Sequence, residues 1–147
     1  MHISERDQCN WIRDRFELLQ YNPYDQAKKK QMLDRTLWAD EFAQFIGTKF
    51  NTMKRFGLEG VESFIPGMKS CIDSLVQGGA ERVVIGMPHR GRLNMLANVV
   101  RKPLDIIFAE FQGVTPTQDK ENNWVENSGD VKYHLGTSYT REYEDGK

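Results

Sequence analysis

The feature that most constrains the fold is a change of hydrophobic period within residues 83–100, VVIGMPHRGRLNMLANVV. Upstream of it, apolar residues recur at the three- and four-residue steps of amphipathic helices. Residues 83–85 are instead a continuous β-branched run, which is typical of a parallel strand buried on both faces. Helical spacing resumes at Leu93. A strand between helices predicts an α/β fold, with residues 83–87 as the strand.

Apolar periodicity predicts helices on both sides of this strand. We expect helices over about residues 5–19, 25–46, 61–76, 93–100 and 104–111. Glycine and proline mark several of the predicted ends. Downstream, the polar composition of the next segments predicts a long surface loop over residues 113–129, and a further strand over residues 131–135.

The composition excludes several functional classes. The chain has 147 residues, of which 39% are hydrophobic, enough for a core without disulfides or metal. Its 20 basic and 21 acidic residues give a net charge of −1, so the balance indicates neither nucleic acid nor a membrane surface as a partner. No apolar run approaches the ~20 residues of a membrane span. Cys9 and Cys71 lie far apart in sequence, which predicts two reduced thiols.

The turn after the predicted strand, Pro-His-Arg-Gly at residues 88–91, is a candidate anion site. Ligands of open α/β sheets collect at the carboxyl ends of parallel strands, where a following helix offers unpaired amide donors. Arg90 has a planar fork for phosphate oxygens, and His89 can exchange a proton near neutral pH. Gly91 allows a close backbone approach. The alternative interpretation is an ordinary solvated turn.

A second unusual segment, SGDVKYHLGTS at residues 128–138, places a cation, a phenol and an imidazole in succession. These are Lys132, Tyr133 and His134. In an extended backbone, Lys132 and His134 share one face. A polar edge strand explains the segment as well as a functional site does.

Three blocks together resemble the 2-oxoglutarate dehydrogenase family, the thiamine diphosphate-dependent decarboxylating component of the 2-oxoglutarate dehydrogenase complex. They are KRFGLEGVESFIPGMK, VIGMPHRGRLNMLANVVRKPL and SGDVKYHLGTSY, at residues 54–69, 84–104 and 128–139. Residues 1–17 resemble the segment just upstream in that family. The resemblance implies a helical N-terminal segment over residues 1–53 and, over residues 54–147, the beginning of a parallel-sheet thiamine diphosphate-binding domain.

The resemblance also implies roles for three side chains. Arg90 is expected near the thiamine diphosphate, and His89 and His134 are similar to two active-site histidines that meet 2-oxoglutarate and the reaction intermediate. No role is expected for His2. Further implications are a homodimer, a lipoyl-bearing succinyltransferase component as partner, and a mitochondrial matrix location.

The resemblance covers only part of what the family's chemistry needs. The motif that binds Mg²⁺ and the diphosphate, a Gly-Asp pair followed by paired asparagines, is expected beyond residue 147, and Asn122 and Asn123 lack its Gly-Asp lead. We therefore expect a fragment that is inactive alone. Two alternatives stay open: a relative of 2-oxoadipate dehydrogenase, which diverges at the third block, and a non-catalytic interaction module of a dehydrogenase complex.

Overall fold

The structure is a computed structural model that describes residues 3–20, 24–113 and 136–143. Almost all of the expected loop over residues 113–129 and the whole expected strand over residues 131–135 lie outside the described residues. His134 and His2 lie outside them as well.

The described residues are helical, and the predicted helices are confirmed. The elements are α1, Arg6–Gln20; α2, Gln26–Lys49; α3, Phe64–Gln77; α4, Arg92–Asn94, which continues as a π-helical turn, Met95–Val99; and α5, Leu104–Phe111. The sequence did not predict the π-helical turn. No helix in the described ranges is both long enough and apolar enough to cross a membrane.

Local signals explain where the longer helices begin and end. Asp25 caps α2, because its Oδ1 accepts a hydrogen bond from the Lys28 amide at 2.7 Å. Pro66 lies in the first turn of α3, where its missing amide hydrogen has no intrahelical acceptor to lose. The same helix ends at Gln77 with Gly78 as its C-cap, and Gly79 follows with a φ of +96° that favours glycine.

The chain divides into two compact units, Met1–Gln31 and Met32–Lys147. In the first unit, α1 leaves Trp11, Phe16 and Leu19 largely exposed. The Cys9 thiol donates to the Ile3 carbonyl oxygen at 3.1 Å. Both cysteines of the chain are free thiols, as predicted. The boundary predicted after residue 53 stays a prediction.

The core of the second unit consists of two apolar clusters. The first contains Phe42, Ile46, Leu93, Ile107 and Phe111. The second contains Ala39, Leu58, Ile65 and Met95. The helical segment after residue 91 thus contributes to both, and the buried Asn94 side chain fixes it further by donating to the Ala39 carbonyl oxygen at 2.8 Å.

The structure does not show the predicted strand at residues 83–87. These residues form neither helix nor strand. Val84 is 89% exposed and Val83 37% exposed, whereas Ile85 and Met87 pack against the second apolar cluster. The segment is therefore covered on one side only. A strand needs a neighbour for its ladder of hydrogen bonds, and the described ranges contain no other strand.

Candidate functional site

The backbone of the His-Arg-Gly-Arg turn is tied to the loop that precedes α3. The Gly91 amide donates to the Phe56 carbonyl oxygen at 2.9 Å, and the Arg92 amide donates to the His89 carbonyl oxygen at 3.3 Å. Helix α4 begins directly after Gly91, which confirms the helix predicted to begin at about residue 93. The turn and the loop over residues 56–59 together form the candidate site.

Gly91 is required at this junction for two reasons. Its φ is +77°, a left-handed conformation that side chains disfavour. A Cβ at this position would also lie 2.6 Å from Leu58 Cδ1, and Leu58 is buried. The close approach expected at Gly91 is therefore made to a leucine side chain of the core.

Arg92 holds the chain that enters the turn. Its Nη2 donates to the Met87 carbonyl oxygen at 2.6 Å, and its Nε donates to the Pro88 carbonyl oxygen at 3.2 Å. The sequence pattern does not indicate this role of Arg92. Both acceptors are main-chain carbonyl oxygens, which every residue has. The residue types in the sequence therefore do not indicate these contacts.

Arg90 presents its guanidinium to solvent beside the loop. Its side chain is 70% exposed, and its Nη1 lies 3.6 Å from Glu59 Oε2. The same nitrogen donates to the Gly57 carbonyl oxygen at 3.3 Å. Gly57 leaves the space for this arrangement, because a Cβ there would collide with the Glu59 carboxylate. An ion pair this exposed adds little stability, so its effect is to orient the guanidinium.

His89 is exposed and lies against an aromatic ring. Its imidazole is 5.5 Å from the Phe56 ring, centroid to centroid, at an interplanar angle of 42°. Phe56 has a φ of +36°, which is uncommon for a residue other than glycine. The structure thus brings His89 and Arg90 together on one turn. The predicted pairing of His89 with His134 is not tested, because His134 lies outside the described residues.

The side chains that contact these two residues were not predicted from the sequence. Phe56 and Glu59 belong to the block over residues 54–69, whose residue types alone do not indicate a site. A local signal was present, because Gly57 and Gly60 flank the Leu-Glu pair and are typical of a tight loop. Such a signal predicts a turn but does not identify its partner 33 residues away in sequence.

The arrangement can bind an anion and exchange a proton. An exposed arginine offers N–H donors in a fork that matches phosphate or carboxylate oxygens, and an imidazole beside it donates or accepts a hydrogen bond. Within the described ranges, no three His, Cys, Asp or Glu side chains converge to hold a metal ion.

The chain is similar, over its whole length, to one segment of much longer enzymes. It is 52% identical over 147 residues to the mitochondrial 2-oxoglutarate dehydrogenase of Dictyostelium discoideum, an alignment that covers 100% of the chain and 14% of the relative. The enzymes of the same name in Saccharomyces cerevisiae and Schizosaccharomyces pombe are 49% and 51% identical over 146 residues, which is 99% of the chain and 14% of each relative. No protein-family model matches.

These relatives are dehydrogenases that act on a 2-oxo acid, and the chain aligns with them from its first residues to its last. It is homologous to a segment of the 2-oxoglutarate dehydrogenases, which confirms the resemblance seen in its three blocks. The chain spans about 14% of the length of these curated relatives.

Proposed function

We propose that the chain forms the part of a 2-oxoglutarate dehydrogenase in which His89 and Arg90 face the substrate and the thiamine diphosphate. The observation that carries the proposal is the turn itself. Its backbone is fixed by Gly91 and Arg92, while the functional groups of His89 and Arg90 stay exposed. A rigid main chain with exposed polar side chains is the arrangement that a preorganised site needs.

The Arg90 side chain fits a cofactor that carries a diphosphate. One of its terminal nitrogens is held by the Gly57 carbonyl oxygen, and its fork stays accessible at 70% exposure. A guanidinium oriented in this way can donate to a diphosphate oxygen. Thiamine diphosphate supplies the electron sink for decarboxylation of a 2-oxo acid. We place the Mg²⁺ ligands outside this chain.

We assign two tasks to His89, and both follow from the chemistry of imidazole. A protonated imidazole binds the distal carboxylate of 2-oxoglutarate, and a neutral imidazole transfers protons. Phe56 limits the rotation of the His89 ring from one side. We propose His134 as its counterpart in the same substrate site, as the family resemblance implies.

The finer features of the fold belong to the same proposal. In the complete enzyme, residues 83–87 join a parallel sheet, which covers the exposed side of Val84 and places the turn at a carboxyl edge. The partners are a second copy of the enzyme and a lipoyl-bearing succinyltransferase component, and the location is the mitochondrial matrix. The relatives are named mitochondrial, which supports the location.

The name shared by these relatives favours 2-oxoglutarate over 2-oxoadipate as the substrate. A chimaeric enzyme tests the proposal. The aligned segment of the S. cerevisiae relative is replaced by residues of this chain, and the purified chimaera is assayed for decarboxylation of 2-oxoglutarate. We expect an active enzyme that prefers this substrate to 2-oxoadipate.

Arg90→Ala in the chimaera tests the cofactor contact. Loss of one charge-assisted hydrogen bond weakens thiamine diphosphate binding by about 1.5–3 kcal/mol. Arg90→Lys restores binding only in part, because lysine lacks the planar fork. Arg82→Ala is the matched control, since Arg82 is also an exposed arginine but lies before the turn. Equal cofactor affinity in the Arg90→Ala and Arg82→Ala proteins would contradict the assignment.

A further inference from the structure

A second group of charged side chains lies in the Met32–Lys147 unit and shares no residue with the turn or its loop. Its centre is Asp73 on α3. Oδ1 of Asp73 accepts from Arg141 Nη1 and from the Tyr143 hydroxyl, each at 2.9 Å. Oδ2 lies 3.9 Å from Arg35 Nη2, on α2. One carboxylate thus joins two helices and the segment over residues 136–143.

Two further cations extend this group. Arg101 follows the π-helical turn, and its Nη1 donates to the Tyr139 hydroxyl at 3.3 Å, within the same segment that contains Arg141. Lys69 lies one helical turn before Asp73 on α3, so the two side chains share a face. We call Arg35, Lys69, Arg101 and Arg141 the cationic cluster.

The side chains of this group do not balance in charge. Asp73 pairs with Arg35 and Arg141, and Asp34 is a carboxylate that acts on Lys69. Counted over these six described side chains, four positive and two negative groups leave an excess of two positive charges. Among the residues that the structure describes, no carboxylate lies within ion-pair distance of the Lys69 ammonium.

The cluster is only partly open to water, which strengthens its interaction with an anion. The side chains of Arg35 and Arg141 are 12% and 33% exposed. Partial burial, together with Arg35, Arg101 and Arg141, holds the pKa of Lys69 below its ordinary value of 10.5. The neighbouring positive charges therefore disfavour the protonated form of Lys69.

We propose that the cationic cluster is an anion site, separate from the His89–Arg90 turn, that takes a group with two negative charges such as a phosphate or a small dicarboxylate. Arg35 and Arg141 share Asp73, Arg101 contacts the segment that contains Arg141, and all three arginines act electrostatically on Lys69. Planar guanidinium forks bind the oxygens of such anions in pairs. An anion bound among them neutralises the charge that Asp73 and Asp34 leave uncompensated. The proposal does not depend on the proposed function.

Titration calorimetry on the full chain tests this site, with inorganic phosphate and succinate as the two probes at constant ionic strength. We expect at least one of them to bind, and the tighter one identifies the class of group. Lys69→Met removes one charge of the site without touching the Asp73 pairs, and we expect it to weaken binding at least tenfold. Lys29→Met, at an exposed position of α2, is the matched control and is expected to bind like the unmodified chain.

Arg101→Gln is the second variant, and we expect a loss of similar size. It keeps the site testable if Lys69→Met does not fold, which thermal melting in the absence of anion reveals. The proposal is overturned if neither probe binds the unmodified chain, or if the folded Lys69→Met or Arg101→Gln protein binds as tightly as the Lys29→Met control. The second result would place the bound anion elsewhere.

Discussion

The ion pair between Lys102 and Glu110 is almost completely buried. Removing one of its charges should lower the free energy of unfolding by the cost of burying the other charge without this partner. Lys102 Nζ lies 2.6 Å from Glu110 Oε1, and the two side chains are 4% and 7% exposed. Lys102→Met removes the ammonium and leaves a carboxylate in a poorly hydrated position. Breaking one side of such a pair costs about 3–5 kcal/mol, because the remaining charge loses this ion-pair partner but does not regain its hydration.

A double-mutant cycle separates this penalty from the net value of the pair. Glu110→Leu removes the carboxylate that pairs with the Lys102 ammonium and should cost a similar amount. The double variant Lys102→Met/Glu110→Leu contains neither of the two buried charges. We expect the double variant to recover most of the loss. Urea unfolding followed by circular dichroism gives the four free energies of unfolding, and Lys29→Met, an exposed lysine, should change them by less than about 0.5 kcal/mol.

Two results would contradict the predicted penalty for breaking the buried pair. Losses below about 1 kcal/mol in both single variants are those of an exposed ion pair, which means that water reaches the charges. A double variant whose loss equals the sum of the two single losses means that the side chains stabilise the fold independently.

Three further predictions follow from single contacts. Gly91→Ala should lower the free energy of unfolding by about 1–2 kcal/mol because of the left-handed backbone at this position, and by more because the buried Leu58 side chain must move. Gly86→Ala should have little effect, because a Cβ at Gly86 would have no atom within 4 Å. Equal unfolding midpoints for the two variants would contradict this prediction. Asp73→Ala should speed tryptic cleavage after Arg141, followed by mass spectrometry, because it removes their ion pair; an unchanged rate would show that the pair does not hold this segment. The pKa of Lys69 is lower in the folded chain than in the unfolded chain, so the unfolded chain binds this proton more tightly. The free energy of unfolding should therefore rise with pH between the folded pKa and 10.5. Unfolding curves of Lys69→Met should lack this rise.

The helices could be predicted from the sequence because their signal is local. Apolar residues at helical spacing, the Asp25 cap and the glycines after α3 all act within a few residues of the helix that they define. The strand at residues 83–87 depended on a distant property, coverage of both faces by other parts of the chain. In the structure this coverage is missing on one side, because the β-branched side chain of Val84 is 89% exposed.

The candidate site divides in the same way. The residue types of the His-Arg-Gly-Arg turn indicated an anion-binding turn, and the structure confirms that a helix begins there. The contacts of Arg90 with Gly57 and of His89 with Phe56 could not be predicted, because they join segments that are more than 30 positions apart through a carbonyl oxygen and a ring face. Lys102 and Glu110 are eight positions apart, but their burial depends on how α5 packs, which the sequence pattern does not specify.

His89 is proposed to serve a substrate site for 2-oxoglutarate, and one comparison of substrates tests this role directly. In the chimaeric enzyme, kcat/KM is measured for 2-oxoglutarate and for 2-oxobutyrate, which lacks the distal carboxylate, with and without His89→Ala. If the imidazole binds that carboxylate, the variant should lose at least ~10-fold for 2-oxoglutarate and much less for 2-oxobutyrate. Equal losses for both substrates would assign His89 to proton transfer instead, and an unchanged kcat/KM for both would contradict the account.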